Sequence, residues 1–347
     1  MNALLITTFG PPSVLKLTTQ PTPTPQDDEV LIKIAAFGLN HAELHMRKGE
    51  WAEWMPISGI ECVGIIASSP QFPSSSSSGS GSGTELSIGT PVASLMGGLG
   101  RTTNGTYAEY TVAKTSNVVP LGPSAKNLSW AQLGVLPEGY ATAWTVLFRN
   151  LEVREGQRLL VRGGTSAFGR AAINLAVAKG VRVFATTRNQ KRVAGLKELG
   201  VEEVFIEDLV LSKKFFPQNE KFDAVLELIG NSTIVDSLTL VHRGGRVCLA
   251  GFLGGLSPIP DFNPLLQMAS GVHFSFFGSF VFGTPGFPLA DVPLQEIVGL
   301  VAERKFQAEP ARVWGFGEEG VQQAHEVMER SEAGGKMVVV VDEGLAK

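Results

Sequence analysis

The chain is predicted to be a two-domain α/β protein, with a β-rich domain and a doubly wound domain on a parallel sheet. Three observations predict it. At 347 residues the chain exceeds the usual size of a single hydrophobic core. Its first third is a series of short apolar runs cut by Pro, Gly and Asn. Its middle alternates strand-like and helix-like segments, the pattern that builds parallel sheets through right-handed crossovers.

In the first third, 31–36, 63–67, 91–95 and 107–112 are strand-length apolar segments. Residues 74–83 are almost pure Ser and Gly, a composition too polar to order itself by burial, and are expected to form a surface loop. The middle opens with a buried-type strand at 158–162. A Gly-rich turn and a helix from about 168 to 178 follow it, then a strand at 181–185. A second helix is expected at 189–199, with further strands at 204–206, 222–227 and 245–250. In the tail, helices are expected near 294–304 and 319–331, and a last strand at 336–341. That strand has no evident partner in the middle domain, so it is expected to return to the first domain's sheet. The expected domains are 1–134 with 286–347, and 135–285.

Bulk properties exclude several classes. A hydrophobic fraction of 44% with 18% charged residues is ordinary for a globular protein. A formal net charge of -4 without a polybasic tail gives no broad attraction to nucleic acid or to anionic membranes. Two cysteines, Cys62 and Cys248, make neither a disulfide framework nor a four-thiolate metal site, and both sit in apolar runs as buried thiols do. The first residues lack the charged start and long apolar core of a signal peptide. The richest apolar run, 274–282, is cut by Gly278 and followed by Gly283, Pro285 and Pro288. No membrane span and a cytosolic location are therefore expected.

The chemistry is carried by Gly163-Gly164-Thr165-Ser166-Ala167-Phe168-Gly169, which lies between a strand and a helix. Dinucleotide binding needs a tight turn, close backbone approach to the pyrophosphate, and a helix N-terminus aimed at the anion. Small residues at 163, 166 and 169 keep the three-residue spacing, with Ser166 in place of the middle Gly. A plain tight turn is the competing reading. The end of the next strand selects the nucleotide. NAD sites usually place Asp or Glu there for the ribose hydroxyls, but 185–192 reads ATTRNQKR, with no acid. Thr187, Arg188 and Lys191 instead suit the 2′-phosphate of NADPH. A solvated, basic helix start fits the same residues.

These motifs, in order, resemble the medium-chain dehydrogenase/reductase superfamily, and within it the zinc-independent quinone oxidoreductase-like (zeta-crystallin-like) branch. The landmarks are 38–45 (GLNHAELH), 59–64 (GIECVG), 142–144 (TAW), the Gly-rich turn, 227–230 (ELIG) and 333–336 (AGGK). The resemblance spans nearly the whole chain. It implies a GroES-like β-rich domain, a Rossmann domain binding NADPH, and an active site in the cleft between them. It also implies that zinc is absent. Asn40 stands where zinc-dependent relatives carry a Cys ligand, Ile60 where they carry a His, and Glu138 near their last Cys; their Cys-rich structural lobe is missing. His45 and Glu61 alone make a poor site for an ion that wants three protein ligands.

The roles implied by the resemblance follow. Asn40 donates a hydrogen bond to the developing enolate-like oxygen, and His45, in place of a family Tyr, supplies a bond or a proton. A structural, cleft-edge imidazole is the other reading of His45. Thr142 contacts the nicotinamide, the Gly230 and Gly251-Phe252-Leu253 loops flank the cofactor, and Lys336 reaches the 2′-phosphate. A family Tyr at the adenine end is replaced around Glu207. The implied reaction is hydride transfer from NADPH to a quinone or α,β-unsaturated carbonyl. An enoyl or other tailoring reductase, and an NADPH-binding protein without turnover, are the alternatives. The aromatic run 274–280 fits either an edge strand pairing two copies in a homodimer or a core or pocket wall.

Overall fold

The structure, a computed structural model, describes residues 1–70, 86–215, 220–306 and 308–347. The Ser/Gly stretch 74–83 lies outside the described residues. The chain divides into two compact units: Met1–Ala141 with Ser279–Lys347, and Thr142–Gly278.

The first unit is the GroES-like one. Strands β1 (Asn2–Ile6) and β2 (Leu15–Thr19) form an antiparallel pair. The central strand, β3 (Glu29–Gly38), is buried along nearly its whole length. It pairs antiparallel with both β4 (Glu61–Ser68) and β6 (Tyr110–Lys114). β5 (Pro91–Leu95) joins β4 to β7 (Val118–Pro120). The expected strand 107–112 starts late because residues 107 and 108 serve β1: Leu4 donates to the Tyr107 carbonyl at 2.8 Å, and Ala3 bridges Ala108. The helix His41–Lys48 follows β3 directly, with Asn40 as its N-cap and Gly49 in the left-handed conformation as its C-cap.

The second unit is a Rossmann-type parallel sheet. Its strands are β8 (Arg158–Arg162), β9 (Arg182–Thr187), β10 (Glu203–Ile206), β11 (Phe222–Glu227), β12 (Val241–Leu249) and β13 (His273–Phe276). Their spatial order is β10-β9-β8-β11-β12-β13, all pairs parallel among the described residues. The order reverses direction at β8, the switch point where open α/β sheets bind ligands. Leu160, Phe184, Phe222, Val225, Leu238 and Val247 lie in its core. The helix Ala167–Ala178 links β8 to β9, and β13 stands at the edge of the sheet. The expected helix at 189–199 opens as a 3-10 turn, Gln190–Arg192, because the Asn189 side chain takes the Lys191 amide (2.9 Å); the α-helix proper is Val193–Glu198.

The chain then returns to the first unit. β14 (Arg312–Gly315) pairs parallel with β15 (Met337–Val340), and β15 pairs antiparallel with β3, so the last strand completes the first unit's sheet as expected. The helix Glu318–Glu329 covers that sheet through Val321, Ala324, Val327 and Met328. Cys62 and Cys248 are buried and unbonded to each other. No helix among the described residues is long and apolar enough to cross a membrane.

The same helix buries His325, whose Nε2 lies 2.9 Å from the Tyr107 hydroxyl. Burial, helped by Arg47 and Lys48, pushes this imidazole down to about 3. The unfolded chain therefore takes up a proton that the folded one refuses, and this contribution to stability is full above the ordinary value and shrinks as pH falls toward 3. Between pH 7.5 and 5 the protein should lose about 2 kcal/mol more than its His325→Leu variant. Denaturant unfolding of both proteins at the two pH values checks this, and parallel losses would mean that His325 does not titrate on unfolding.

Candidate functional site

Each unit holds part of the sequence-predicted site. In the Rossmann unit, β8 ends at Arg162 and the chain turns at Gly163, whose φ of 86° favours glycine. A Cβ there would press on Leu253 (3.1 Å) and Leu228 (3.3 Å). Ser166 caps the helix Ala167–Ala178. Its hydroxyl accepts the Gly169 amide at 3.0 Å and donates to the Gly163 carbonyl at 2.9 Å. This capping is the physical reason for serine where a middle glycine is usual. A Cβ on Gly169 would fall 2.6 Å from the Gly163 carbonyl oxygen, so the helix can start this close to the turn only without one. Thr165, Ala167 and Phe168 complete the turn and are partly exposed. The first amides of such a helix have no intrahelical partner and carry the positive end of its dipole.

The neighbouring strand ends are tied to this turn. Gly163 and Gly164 donate to the hydroxyl and carbonyl of Thr186 at 3.0 and 3.1 Å. One oxygen of Glu227 accepts the Ile229 and Gly230 amides at 2.7 and 3.0 Å, fixing the loop after β11. The loop after β12 closes onto it, with Leu253 donating to Leu228 at 3.0 Å and a Gly251 Cβ, were there one, only 2.8 Å from the Leu228 carbonyl. Gly163, Gly230, Gly251, Phe252 and Leu253 are thus brought together at the C-terminal ends of three strands. Thr142 is buried in the helix Pro137–Thr145. At the end of β9, Arg188 and Lys191 are exposed, whereas Thr187 is buried. The Thr187 hydroxyl is used locally, accepting the Asn189 amide at 3.1 Å.

In the GroES-like unit, Asn40 and Lys336 meet. Lys336 is buried beside β3, where its ammonium donates to Asn40 Oδ1 at 2.6 Å and to Glu61 Oε1. The Asn40 amide donates to Glu61 Oε1 at 2.8 Å, and the other Glu61 oxygen accepts the Glu138 amide, also at 2.8 Å. Burial works against the Lys336 charge, but Glu61 and Glu138 outweigh it and hold its pKa above the usual lysine value. Lys336, expected to reach the 2′-phosphate, thus has its charge paired with a buried carboxylate in this structure. The Asn40 amide is likewise engaged within the cluster and is not a free donor for a substrate oxygen.

Gly38 has no side chain because this pair fills the space; a Cβ there would sit 2.6 Å from Glu61 Oε1. Glu43 closes the cluster, accepting the Asn40 and Ile60 amides at 2.8 and 3.2 Å. Burial pushes its carboxyl up to about 7 against the opposing pull of Lys336. His45, one turn along the helix, faces other partners: its Nδ1 lies 2.5 Å from Glu50 Oε2, and its ring stacks on Trp51 at 5.7 Å.

Glu43 and the Lys336–Glu61 contact escaped the sequence reading. The available signal was Glu61, an acid at the head of the apolar run 62–67. Replacing Lys336 by Met should cost about 3–5 kcal/mol, since it leaves Glu61 charged, buried and without its cation. The Lys336→Met/Glu61→Met double variant should recover most of the loss in urea unfolding, and a single variant as stable as the parent would show that the ammonium is dispensable.

Two family models match the chain: "Alcohol dehydrogenase GroES-like domain" over residues 26–123 and "Zinc-binding dehydrogenase" over 167–290. The quinone oxidoreductase of the pig, Sus scrofa, is 30% identical over 278 residues, covering 78% of this chain and 78% of that protein. The solved quinone oxidoreductase of Coxiella burnetii superimposes with a TM-score of 0.78 at 25% identity, over 98% of this chain and 99% of that one. The Escherichia coli quinone oxidoreductase, solved in complex with NADPH, shares the fold with a TM-score of 0.80 at 18% identity, over 98% of this chain and 100% of that one. With a GroES-like unit, a Rossmann-type unit and relatives of this closeness, the chain belongs to the medium-chain dehydrogenase/reductase superfamily, in its quinone oxidoreductase-like branch, and is an oxidoreductase.

Proposed function

We propose that the chain is an NADPH-dependent reductase that delivers hydride to a quinone or an α,β-unsaturated carbonyl without zinc. The observation that carries this reading is the geometry of residues 163–169, followed one strand later by the exposed cations Arg188 and Lys191. Its glycines leave room for a pyrophosphate against the backbone, and Ser166 caps the helix whose positive end would face it. Arg188 and Lys191 would hold the 2′-phosphate by charge-assisted hydrogen bonds, and Thr187 would shape the turn that presents them. The relatives named quinone oxidoreductase, and the E. coli protein solved with NADPH, support the same reading.

Zinc does not fit the residues present. Asn40 Oδ1 and Glu61 Oε1 already accept from the Lys336 ammonium, and Ile60 between them in sequence is a buried hydrocarbon. A divalent ion would have to displace a buried cation and would still lack a third good donor. Among the described residues, no group of three or more His, Cys, Asp or Glu is placed to hold a metal. Alcohol oxidation through a metal Lewis acid is thus left without its ligands, whereas reducing an activated double bond needs only hydride and a proton.

NADPH, when bound, supplies the hydride. Among the chain's own groups, His45 is the proton carrier we propose. Glu50 on its Nδ1 steadies the ring and would leave Nε2 for the proton exchange. Asn40 shapes the site from within the Lys336–Glu61 cluster and makes no substrate bond. The buried thiols are compatible with a reducing, cytosolic setting. A homodimer formed through β13 is supported by its edge position and by the exposed rings of Phe274 and Phe276. Light scattering that gives a monomer mass at tens of micromolar protein would remove that part of the proposal.

The cofactor and the acceptor are tested together by following NADPH oxidation at 340 nm against a panel of quinones and enones. Turnover of one class assigns the acceptor, turnover of enoyl thioesters alone would make it an enoyl reductase, and tight NADPH binding without turnover would make it a binding protein. Arg188→Asp should raise the KM for NADPH by about tenfold or more, the loss of a charge-assisted hydrogen bond, while sparing NADH. Equal effects on the two cofactors would sink the assignment of Arg188.

A further inference from the structure

The sequence places no acid between Ala185 and Arg192, yet the structure puts a carboxylate beside the end of β9 from the next strand. Glu207 follows β10 directly, and its amide donates to the Thr187 carbonyl at 2.9 Å. Adjacent strands lie roughly 5 Å apart, so this side chain is a close neighbour of the segment that carries Arg188. Left bare, it would repel a 2′-phosphate and suit a ribose hydroxyl, the usual task of the acid in NAD sites.

It is not bare. Arg162, the last residue of β8, is fully buried, and its guanidinium spans the end of β9 to reach Glu207 on the far side. Nη2 donates to Glu207 Oε1 and to the Asp208 carbonyl (2.9 Å), and Nε donates to Glu207 Oε2 at 3.3 Å. Among the described residues, these are the hydrogen bonds that the Glu207 carboxylate receives. The remaining nitrogen, Nη1, donates to Asp236 Oδ2 (2.8 Å), Ser237 Oγ (3.0 Å) and the Thr233 carbonyl (3.3 Å). The other two acids have further donors: Asp236 accepts from the Ser212 amide at 3.1 Å, and Glu227 from Ser237 at 2.6 Å and from two loop amides. Among the described residues Arg162 is the one cation bonded to these acids, and Glu207 depends on it most.

We propose that Arg162 is a specificity-determining positioning residue: by neutralising Glu207 beneath the end of β9, it lets the site accept the 2′-phosphate of NADPH. The inference rests on the NADPH reading above. Arg162 touches no cofactor; it acts through Glu207, on the far side of the strand from which Arg188 projects.

The test measures the dissociation constants of NADPH and NADH by fluorescence titration of the full-length protein. Arg162→Gln should weaken NADPH relative to NADH by roughly five- to tenfold, the effect of one uncovered charge on a phosphate about 10 Å away. Arg162→Gln/Glu207→Gln should return the ratio to near the parent value, and Glu207→Gln alone should move it further toward NADPH. A merely structural Arg162 would weaken both dinucleotides together, and that result overturns the proposal, as does a double variant that keeps the altered ratio. If Arg162→Gln does not fold, Glu207→Gln decides alone, and an unchanged or lowered NADPH preference counts against the idea. A parent protein with no preference for NADPH would refute the cofactor reading and this inference with it. A parent preference that the variants leave unmoved refutes only the role of Arg162.

Discussion

A charge taken out of water must find a partner, and the ion pair between Lys336 and Glu61 is where the first unit of this chain meets that constraint. Both side chains are buried, and they lie 275 positions apart in sequence. Lys336 directly precedes β15, which pairs with β3, and Glu61 opens β4, so the ion pair ties the segment before β15 to β4 across the end of β3. The local features around it follow. Gly38 has no Cβ, Asn40 orients both ends of its amide, and Glu61 spends its second oxygen on the Glu138 backbone. Removing one partner leaves a naked charge, which is why such pairs are costly to break even when they add little net stability.

The Rossmann unit solves the same problem around Arg162. Its guanidinium ties the ends of β8 and β10 to the helix after β11, and Glu227 beside it fixes the loop that packs against Gly163. Buried polar groups of this kind cannot slide, because each has a fixed partner and no water to replace it. The turn at 163–169 is thereby held from behind by electrostatics and from the front by close packing against Leu228 and Leu253. Pre-organisation of this sort is what allows a backbone cradle to receive an anion with little rearrangement.

Much of the fold was legible in the sequence. Residues 91–95, 158–162 and 222–227 are short segments with apolar centres and clear stops, and the structure ends its strands at the same residues. Local signals failed where tertiary pairing decides. Tyr107 and Ala108 look like the start of one strand but serve β1. The glycine turn was legible because its requirements are local: a conformation, a cap and a close approach. The Lys336–Glu61–Asn40 cluster was not, because nothing in a run ending AGGK says that its lysine will be buried rather than reach for a phosphate.

The name of the matched family model, a zinc-binding dehydrogenase, and the donor set of this chain point in different directions, and the geometry shows how both hold. Asn40 Oδ1 and Glu61 Oε1, beside the end of β3, together accept from one buried cation. Here the cation is an ammonium that arrives on the chain's own last strand. An ammonium is satisfied by three hydrogen-bond acceptors and carries no empty coordination position, so it can order Asn40 and Glu61 but cannot polarise a substrate oxygen as an open metal site does. The amide and carboxylate here are thus ordered by a buried charge of the chain's own. Under the reductase reading proposed above, an acceptor that is already electron-poor, a quinone or an enone, needs no such Lewis acid.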